Sequence, residues 1–378
     1  MYTQYEWHRQ AVAMTVNTTH RFDYFPNNGF LQALLLQIYM TPVVDARIAV
    51  EKWRLADFID QIEVWGNDGT PIFVVPGTML KALNWLDGIP LITNQDHNYG
   101  TSTLRWHVPI LFGRHWNDKQ LGLDLSKWAS VQLRIKNSSS ATYTTGTISC
   151  DVMAKYIRDA AASPFSGYLH KENWQQYTSV ASDKKYYDLP TEQKLRRLAI
   201  QVIPDVDASM VSEATLYTVL SNLKLSTKTG QNIIYNANPR NLMYINHFDR
   251  GMDVLTGAES YHTDAYGFRN GLAQTFYKAG AYLSHDGGQS TYAPDFVPGE
   301  DSQTQTRQSD GDSDQISALF AGIAPEGCLW FDWTKPDEPT NYLDTAQEKT
   351  VKLDLEIGTG AAHADATINI LLDRYVPY

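Results

Sequence analysis

The sequence predicts an all-β protein made of two tandem eight-stranded jelly-roll β-sandwiches, with few short helices and a long inserted loop in the second. Three observations lead to this prediction. The chain of 378 residues exceeds the usual size of a single core. Short runs rich in β-branched and aromatic residues dominate it, with 10 Trp, 22 Tyr and 13 Phe in total. Groups of residues in the first half also recur, in the same order, in the second half.

Six strands are predicted in the first half, from apolar runs separated by turn-forming residues. The alternation is clearest where Val131, Leu133 and Ile135 are each followed by a polar residue, as in a strand with one solvated face. The six runs are 18–25, 29–40, 60–65, 104–112, 131–136 and 146–156.

Helical patterns are few. Leu80, Leu83 and Leu86 share one face of a helix predicted over residues 77–86. A second short helix is predicted over residues 156–162. Many strands with so few helices indicate sandwiches or barrels rather than alternating strands and helices, and eight strands in two packed sheets are typical of a jelly roll.

The internal repeat consists of five groups of similar residues. The groups begin at Arg21, Leu36, Ile62, Leu80 and Leu123, and their counterparts begin at Lys185, Ile200, Leu223, Leu242 and Leu343. The offset is 164 for the first two groups, 161 and 162 for the next two, and 220 for the last, which also matches Thr147-Ile148 with Thr367-Ile368. The increase from 162 to 220 places an insertion of 58 residues in the second half, after Gly251.

The insertion contains a segment, residues 284–314, that is dense in Gly, Ser, Gln and Asp and has only Arg307 to offset its many acidic residues. Such a segment buries little apolar surface, so we expect a long, exposed, acidic loop on a rigid scaffold. The predicted domains are an N-terminal arm (1–16), a first jelly roll (17–157), a polar linker (158–184) and a second jelly roll (185–378) with the inserted loop at about 252–325.

Signatures of catalysis are absent from the sequence. No two of the ten histidines are two or four residues apart, which argues against a metalloenzyme. There is also no nucleophile elbow and no phosphate-binding glycine loop. Four acids were weighed as a pair for glycoside hydrolysis, although each fits a strand end or turn equally well: Asp60, Glu63, Asp332 and Asp337.

The sharpest local signal is the alternation of Asp310, Asp312 and Asp314, because such carboxylates can converge on Ca²⁺. The segment departs from the EF-hand pattern, with Gln315 at position six and Ala321 at position twelve, so a solvated acidic tip is the favoured interpretation. The sequence therefore predicts no catalytic residue, no cofactor and no metal ligand.

Charge and cysteine content narrow the class further. The formal net charge of −11 argues against a nucleic-acid-coating protein. Cys150 and Cys328 lie too far apart for a secreted disulfide framework and indicate buried free thiols made in a reducing cytoplasm. Residues 1–16 lack the basic start and apolar run of a signal peptide.

The duplicated jelly roll resembles the double jelly-roll major capsid proteins of tailless icosahedral viruses, which often contain an internal membrane, in the bacteriophage and adenovirus type of lineage. Residues 25–31, Phe-Pro-Asn-Asn-Gly-Phe-Leu, resemble their first strand pair. The Leu-Asp-Leu-Ser of residues 123–126, ahead of residues 131–135, resembles their late strands. In that family three copies form a pseudo-hexagonal trimer, and long loops build towers on its outer face.

The resemblance implies a structural protein of the virion, made in the host cytoplasm, that self-assembles as a homotrimer into an icosahedral shell. Penton and minor capsid proteins are implied partners, and no direct nucleic-acid binding is expected. Residues 1–16 are either a frayed terminus or an arm that orders on assembly or touches an internal membrane. The alternative is a two-domain carbohydrate-binding protein or glycosidase. Its sugar-stacking residues would be Trp106, Trp116, Trp128, Trp330 and Trp333, although tryptophans more often fill cores and interfaces.

Overall fold

The computed structural model describes residues 2–40, 55–67, 69–89, 103–138, 148–158, 163–203, 216–250, 255–263, 278–284, 314–322, 324–335, 337–359 and 365–378. The strands of the first half are β1 (Tyr2–Met14), β2 (Thr19–Tyr24), β3 (Phe30–Met40), β4 (Ile59–Gly66), β5 (Thr70–Val75), β6 (Leu104–Leu111), β7 (Leu123–Asp124), β8 (Val131–Asn137) and β9 (Ile148–Arg158). Those of the second half are β10 (Gly167–Thr178), β11 (Lys184–Asp188), β12 (Lys194–Ile203), β13 (Leu220–Thr227), β14 (Asn232–Ala237), β15 (Leu255–Thr263), β16 (Lys278–Ser284), β17 (Asp314–Gly322), β18 (Cys328–Asp332), β19 (Val351–Ile357) and β20 (Thr367–Pro377). The α-helices are α1 (Gly77–Leu86), α2 (Leu216–Val219), α3 (Pro239–Arg250) and α4 (Thr345–Glu348).

The two halves repeat one architecture. In the first half, four strands run in the order β1-β9-β3-β6, and a second set runs β2-β8-β4-β5. In the second half the corresponding orders are β10-β20-β12-β18 and β11-β19-β13-β14. Each half therefore contributes eight strands in two sets of four, with α1 and α3 at equivalent places, which confirms the predicted sandwich fold.

Irregularities in strand pairing also recur and align the two halves residue by residue. Four register shifts occur at equivalent positions, where a β-bulge displaces the ladder by the same step in each half. The shifts are Trp7/Arg9 with Asn173/Gln175, Leu31/Ala33 with Leu195/Arg197, Ile59/Gln61 with Leu220/Asn222, and Val64/Trp65 with Leu225/Ser226. The offset is thus 166 for β1 and β10, 164 for β3 and β12, and 161 for β4 and β13.

One part of the sequence repeat is two residues out of register. Cys150 lies opposite Ile38, and Ile368 lies opposite Val202, the counterpart of Ile38. Ile368 is therefore the counterpart of Cys150, and the offset along β9 and β20 is 218 rather than 220. The offset of 220 holds for β8 and β19, so the loop before the last strand is two residues shorter in the second half.

A single eight-stranded sheet passes through both halves. Its order is β18-β12-β20-β10-β5-β4-β8-β2, so β5 of the first half is bonded to β10 of the second. The two strands are parallel, with Phe73 opposite Lys171 and Val74 opposite Glu172. The core of the first half also extends across this junction, because Trp330 and Cys328 of the second half belong to it. The second half has a further core of its own.

Three sequence expectations are corrected by the structure. Residues 167–178 of the expected linker form strand β10, and residues 2–14 of the expected N-terminal arm form β1, paired with β9. These are equivalent strands, and both carry polar residues that hide the strand pattern. Residues 156–158, expected to begin a helix, end β9, because both neighbouring strands hold this segment by ladder bonds.

The described part of the predicted insertion is a small antiparallel sheet in the order β15-β17-β16. It follows α3 and precedes β18, the place that the change of offset indicates. The expected acidic loop itself, residues 285–313, lies outside the described residues.

Gly66 is expected to be essential for packing at the end of β4. A Cβ atom there would overlap the indole ring of Trp128, which packs against the first core. Gly66→Ala should therefore lower the free energy of unfolding by about 1–3 kcal/mol, measured by urea denaturation. Gly69→Ala is the matched control, because the nearest atom to its Cβ is 4.0 Å away. Equal stabilities for the two variants would contradict this packing.

Candidate functional site

An ion cluster is buried where the two halves meet. Asp87, the residue that follows α1, has a fully buried carboxylate. It lies 2.7 Å from Lys171 Nζ, 3.1 Å from Arg196 Nη1 and 2.5 Å from Arg197 Nη1. The acid belongs to the first half and the three cations to the second, so the cluster fixes one half against the other.

Arg196 is the centre of this cluster. Its guanidinium also contacts Asp373 at 2.8 Å and Asp337 at 2.7 Å. The hydroxyl of Tyr342 donates to Asp337 at 2.7 Å, which holds that carboxylate in place. Because a buried charge is tolerated only when it is paired, these contacts explain how a strand with two adjacent arginines can cross the interior.

The cluster is fixed in one ionisation state. Burial alone would raise the pKa of Asp87, but the charges of Lys171, Arg197 and Arg196 outweigh it and hold that pKa well below its usual range. Burial likewise opposes the charge of Arg196, but Asp87 and Asp373 raise its pKa well above the ordinary value. Groups held in this way do not exchange protons near neutral pH, so the arrangement suits attachment rather than acid–base chemistry.

Helix α1 presents one face to the second half. Gln201 Nε2 donates to the hydroxyl of Thr78 at 3.2 Å, and the ring centroids of Trp85 and Trp330 are 5.9 Å apart. Leu83 and Leu86 on the same helix are buried in the first core. The junction therefore combines an apolar helix contact, the ion cluster and a strand pairing.

The equivalent helix of the second half has no such cover. Ile245 and Phe248 of α3 are the counterparts of Leu83 and Leu86, yet their side chains are 44% and 75% exposed. A cavity of about 210 Å³ lies beside them. Its apolar lining includes Ile234, Leu242, Ile245, Trp330, Phe331 and Trp333. The surface that joins the halves thus has a free counterpart on the second half.

The acids weighed for glycoside hydrolysis are engaged by other side chains. Asp60 accepts from Ser138 Oγ at 2.5 Å, and Glu63 accepts from its strand neighbour Trp65. Asp332 lies 3.5 Å from Arg197, and Asp337 is the Arg196 partner described above. Two of the four are therefore part of the junction cluster, a role that their interpretation as strand-end or turn acids did not include.

The five tryptophans pack rather than line an open cleft. Trp106 and Trp330 are buried in the first core, which Trp128 also contacts, and Trp333 packs against the second core. Trp116 lies against the ammonium of Lys155, 4.5 Å from its ring centroid. Cys150 and Cys328 are buried free thiols, and burial raises the pKa of both.

The predicted calcium candidates cannot be placed together, because Asp310 and Asp312 lie outside the described residues and only the backbone of Asp314 is described, at the start of β17. Within the described ranges, no cluster of three or more His, Cys, Asp or Glu side chains is arranged to hold a metal ion. No helix in those same ranges has the length and apolar character needed to cross a membrane.

The whole chain is similar in structure to solved viral proteins. The STIV MCP aligns with 100% of this chain and 97% of its own, with a TM-score of 0.60 and 12% identity. The PBCV-1 virus capsid aligns over 99% and 94%, with a TM-score of 0.56 and 11% identity. The major capsid protein P2 from Bacteriophage PM2 aligns over 99% and 98%, with a TM-score of 0.50 and 7% identity. The fold is a double jelly roll.

The similarity is confined to structure. No protein-family model matches the sequence, and no curated protein matches it. The double jelly roll as a whole, rather than any short motif, is therefore what this chain shares with the three solved proteins.

Sequence reasoning missed the residues that join the two rolls. Asp87 is separated from its three cationic partners by more than 80 residues, so no local motif contains them. One signal was present, because Arg196 and Arg197 interrupt an otherwise apolar strand run. Charges within a buried strand require buried partners, which indicates an interior ion cluster but not the identity of its acids.

Proposed function

We propose that this chain is a major capsid protein, which assembles with copies of itself into the icosahedral shell of a virion. The observation that carries the proposal is the structural likeness of 99% or more of the chain to viral capsid proteins over at least 94% of their length. The role is structural rather than catalytic, since the interior charges of the double jelly roll serve to hold its rolls together.

The assembly unit that we propose is a homotrimer. One roll-to-roll junction is formed within the chain, and its counterpart on the second roll is exposed. A contact between the exposed face of one copy and a different face of the next is head-to-tail, and such contacts give closed rings when the rotation between neighbours permits. Three copies would supply six similar rolls, which is the pseudo-hexagonal capsomer that the family resemblance implies.

Further partners belong to the same proposal. Penton and minor capsid proteins would meet the outer surfaces of the trimer. The net charge of −11 favours a shell surface without direct genome contact. A membrane contact through residues 1–16 is not supported, because residues 2–14 are engaged as β1 in a sheet. Carbohydrate binding or hydrolysis is not favoured either, because the acids weighed for it have other partners.

The proposal is tested by the mass of the purified protein in solution, measured by light scattering during gradual heating. We expect a species of about three times the 42.7 kDa chain mass. Fold and trimer should be lost in one transition, because large apolar interfaces stabilise the folded subunits. Electron microscopy of the concentrated protein then tests for shells. A monomer that keeps its fold at all concentrations would rule the proposal out.

A further inference from the structure

The junction inside the chain is a template for a second junction between copies. Within the chain, β5 at the edge of the first roll is bonded in parallel to β10 of the second, with Phe73 opposite Lys171. The counterpart of β5 is β14, and the counterpart of β10 is β1, because the same register shifts recur in each pair of strands. By these shifts Tyr235 is equivalent to Phe73, and Tyr5 is equivalent to Lys171.

The two counterpart strands are both sheet edges. Among the described strands, β14 ends the four-stranded sheet after β13, and β1 ends its sheet beside β9. Both carry large apolar side chains that face solvent: Tyr2, Tyr5 and Trp7 on β1, and Ile233 and Ile234 on β14. An exposed edge of this kind is a template for pairing with another chain.

We propose that β14 of one copy pairs in parallel with β1 of the next copy, with Tyr235 opposite Tyr5 and Asn236 opposite Glu6. The next copy then covers Ile245 and Phe248 of α3, as the second roll covers the equivalent face of α1. This inference rests on the proposed capsid function and assigns the contact surface that the trimer would use.

Charge distribution at the two surfaces supports the same pairing. In the chain junction, Asp87 supplies the carboxylate to a cluster built on Arg196 and Asp373. The equivalent positions in the first roll are Gln32, the extra residue of the same register shift, and Lys155, which takes the place of Asp373. The cation has therefore moved from β3 to β9 in this roll.

Lys155 is a buried cation without a carboxylate partner among the described residues. Its Nζ donates to the carbonyl of Trp116 at 2.5 Å and to Asn117 Oδ1 at 2.8 Å. The same Nζ lies 5.9 Å from the ring centroid of Tyr5. Burial lowers the pKa of Lys155 to about 8, and no acid opposes that shift.

The missing acid is present on the other surface. Asp249 follows Phe248 near the end of α3, is the counterpart of Asp87 and is exposed. When β14 meets β1 of the next copy as β5 meets β10, Asp249 approaches Tyr5, and Lys155 lies behind that ring. An ion pair between Asp249 and Lys155 of the next copy would replace the pair between Asp87 and Lys171.

Disulfide cross-linking tests the register directly. In the full chain carrying Tyr5→Cys and Tyr235→Cys, mild oxidation should link neighbouring copies and give two-chain and three-chain bands on a non-reducing gel. Paired positions in adjacent strands have the separation that a disulfide requires. The two native thiols are buried, so the unmodified chain should give no bands. The control carries Tyr5→Cys and Tyr186→Cys, since Tyr186 is exposed on β11 at the opposite edge of the sheet.

Surface variants provide a second measurement that does not depend on cysteine geometry. Phe248→Asp and Asp249→Lys should each raise the concentration at which the oligomer dissociates by at least about tenfold, with an unchanged circular dichroism spectrum. Tyr186→Asp, equally exposed but on the other edge, should leave the oligomer intact. An oligomer of unchanged mass in the Phe248 and Asp249 variants, with no specific cross-link, overturns the pairing and leaves the capsid proposal standing. A monomeric unmodified chain overturns both.

Discussion

Replacing Asp87 by Asn is expected to lower the free energy of unfolding by about 3–5 kcal/mol, because it removes the one acid that the first roll contributes to the junction. Lys171, Arg196 and Arg197 then remain buried with one negative charge fewer among them. Asp373 and Asp337 still face Arg196, but Lys171 has no other carboxylate within ion-pair distance among the described residues. The loss should be measured by urea denaturation followed by tryptophan fluorescence.

The control for this prediction is an ion pair of similar length in solvent. Lys184 Nζ and Glu356 Oε1 are 2.8 Å apart on two exposed strands. Glu356→Gln should cost less than about 1 kcal/mol, since solvent screens exposed pairs. If Asp87→Asn were no more destabilising than Glu356→Gln, the cluster would not be what fixes the two rolls together.

Trp330→Ala is expected to cost about 3–5 kcal/mol, because it removes a large side chain that is buried in the core of the opposite roll. The indole contacts Trp85 of α1, so its loss leaves a cavity at the junction as well as removing apolar burial. The unfolding transition should move to lower temperature for both rolls together, observed by calorimetry.

Tyr186→Ala serves as the comparison for the tryptophan, since that ring is 69% exposed. It should change the free energy of unfolding by no more than about 0.5 kcal/mol. Two separate transitions in the Trp330 variant, with the second roll unaffected, would show that the rolls are stabilised independently and would contradict the shared core.

Much of the fold is predictable from local pattern. The helix over residues 77–86 has the predicted bounds, and the predicted strand 131–136 is extended by one residue at Asn137. Both have one clear apolar face, so burial and sequence periodicity agree. The order of the repeat was also visible, because equivalent core positions in the two rolls keep similar apolar residues.

What the sequence did not reveal depends on neighbours in space. Strand β1 is largely exposed and is held by backbone bonds to β9, so it lacks the alternation that identifies a strand. Strand β10 carries His170 and Lys171 at buried positions, which makes it look like a linker. The acids that pair with the second roll's cations become evident only when β5 and β10 are placed side by side.

The location of Trp330 also has a consequence for the order in which the chain acquires its structure during synthesis. The core of the first roll contains a residue made only after 329 others, so the ribosome has nearly completed the chain before that core can close. Strand β1 likewise waits for β9, more than 130 residues downstream. Although the chain is a tandem duplication, its unit of cooperative folding is the pair of rolls, and a nascent first roll remains open and dependent on protection from aggregation until its twin arrives.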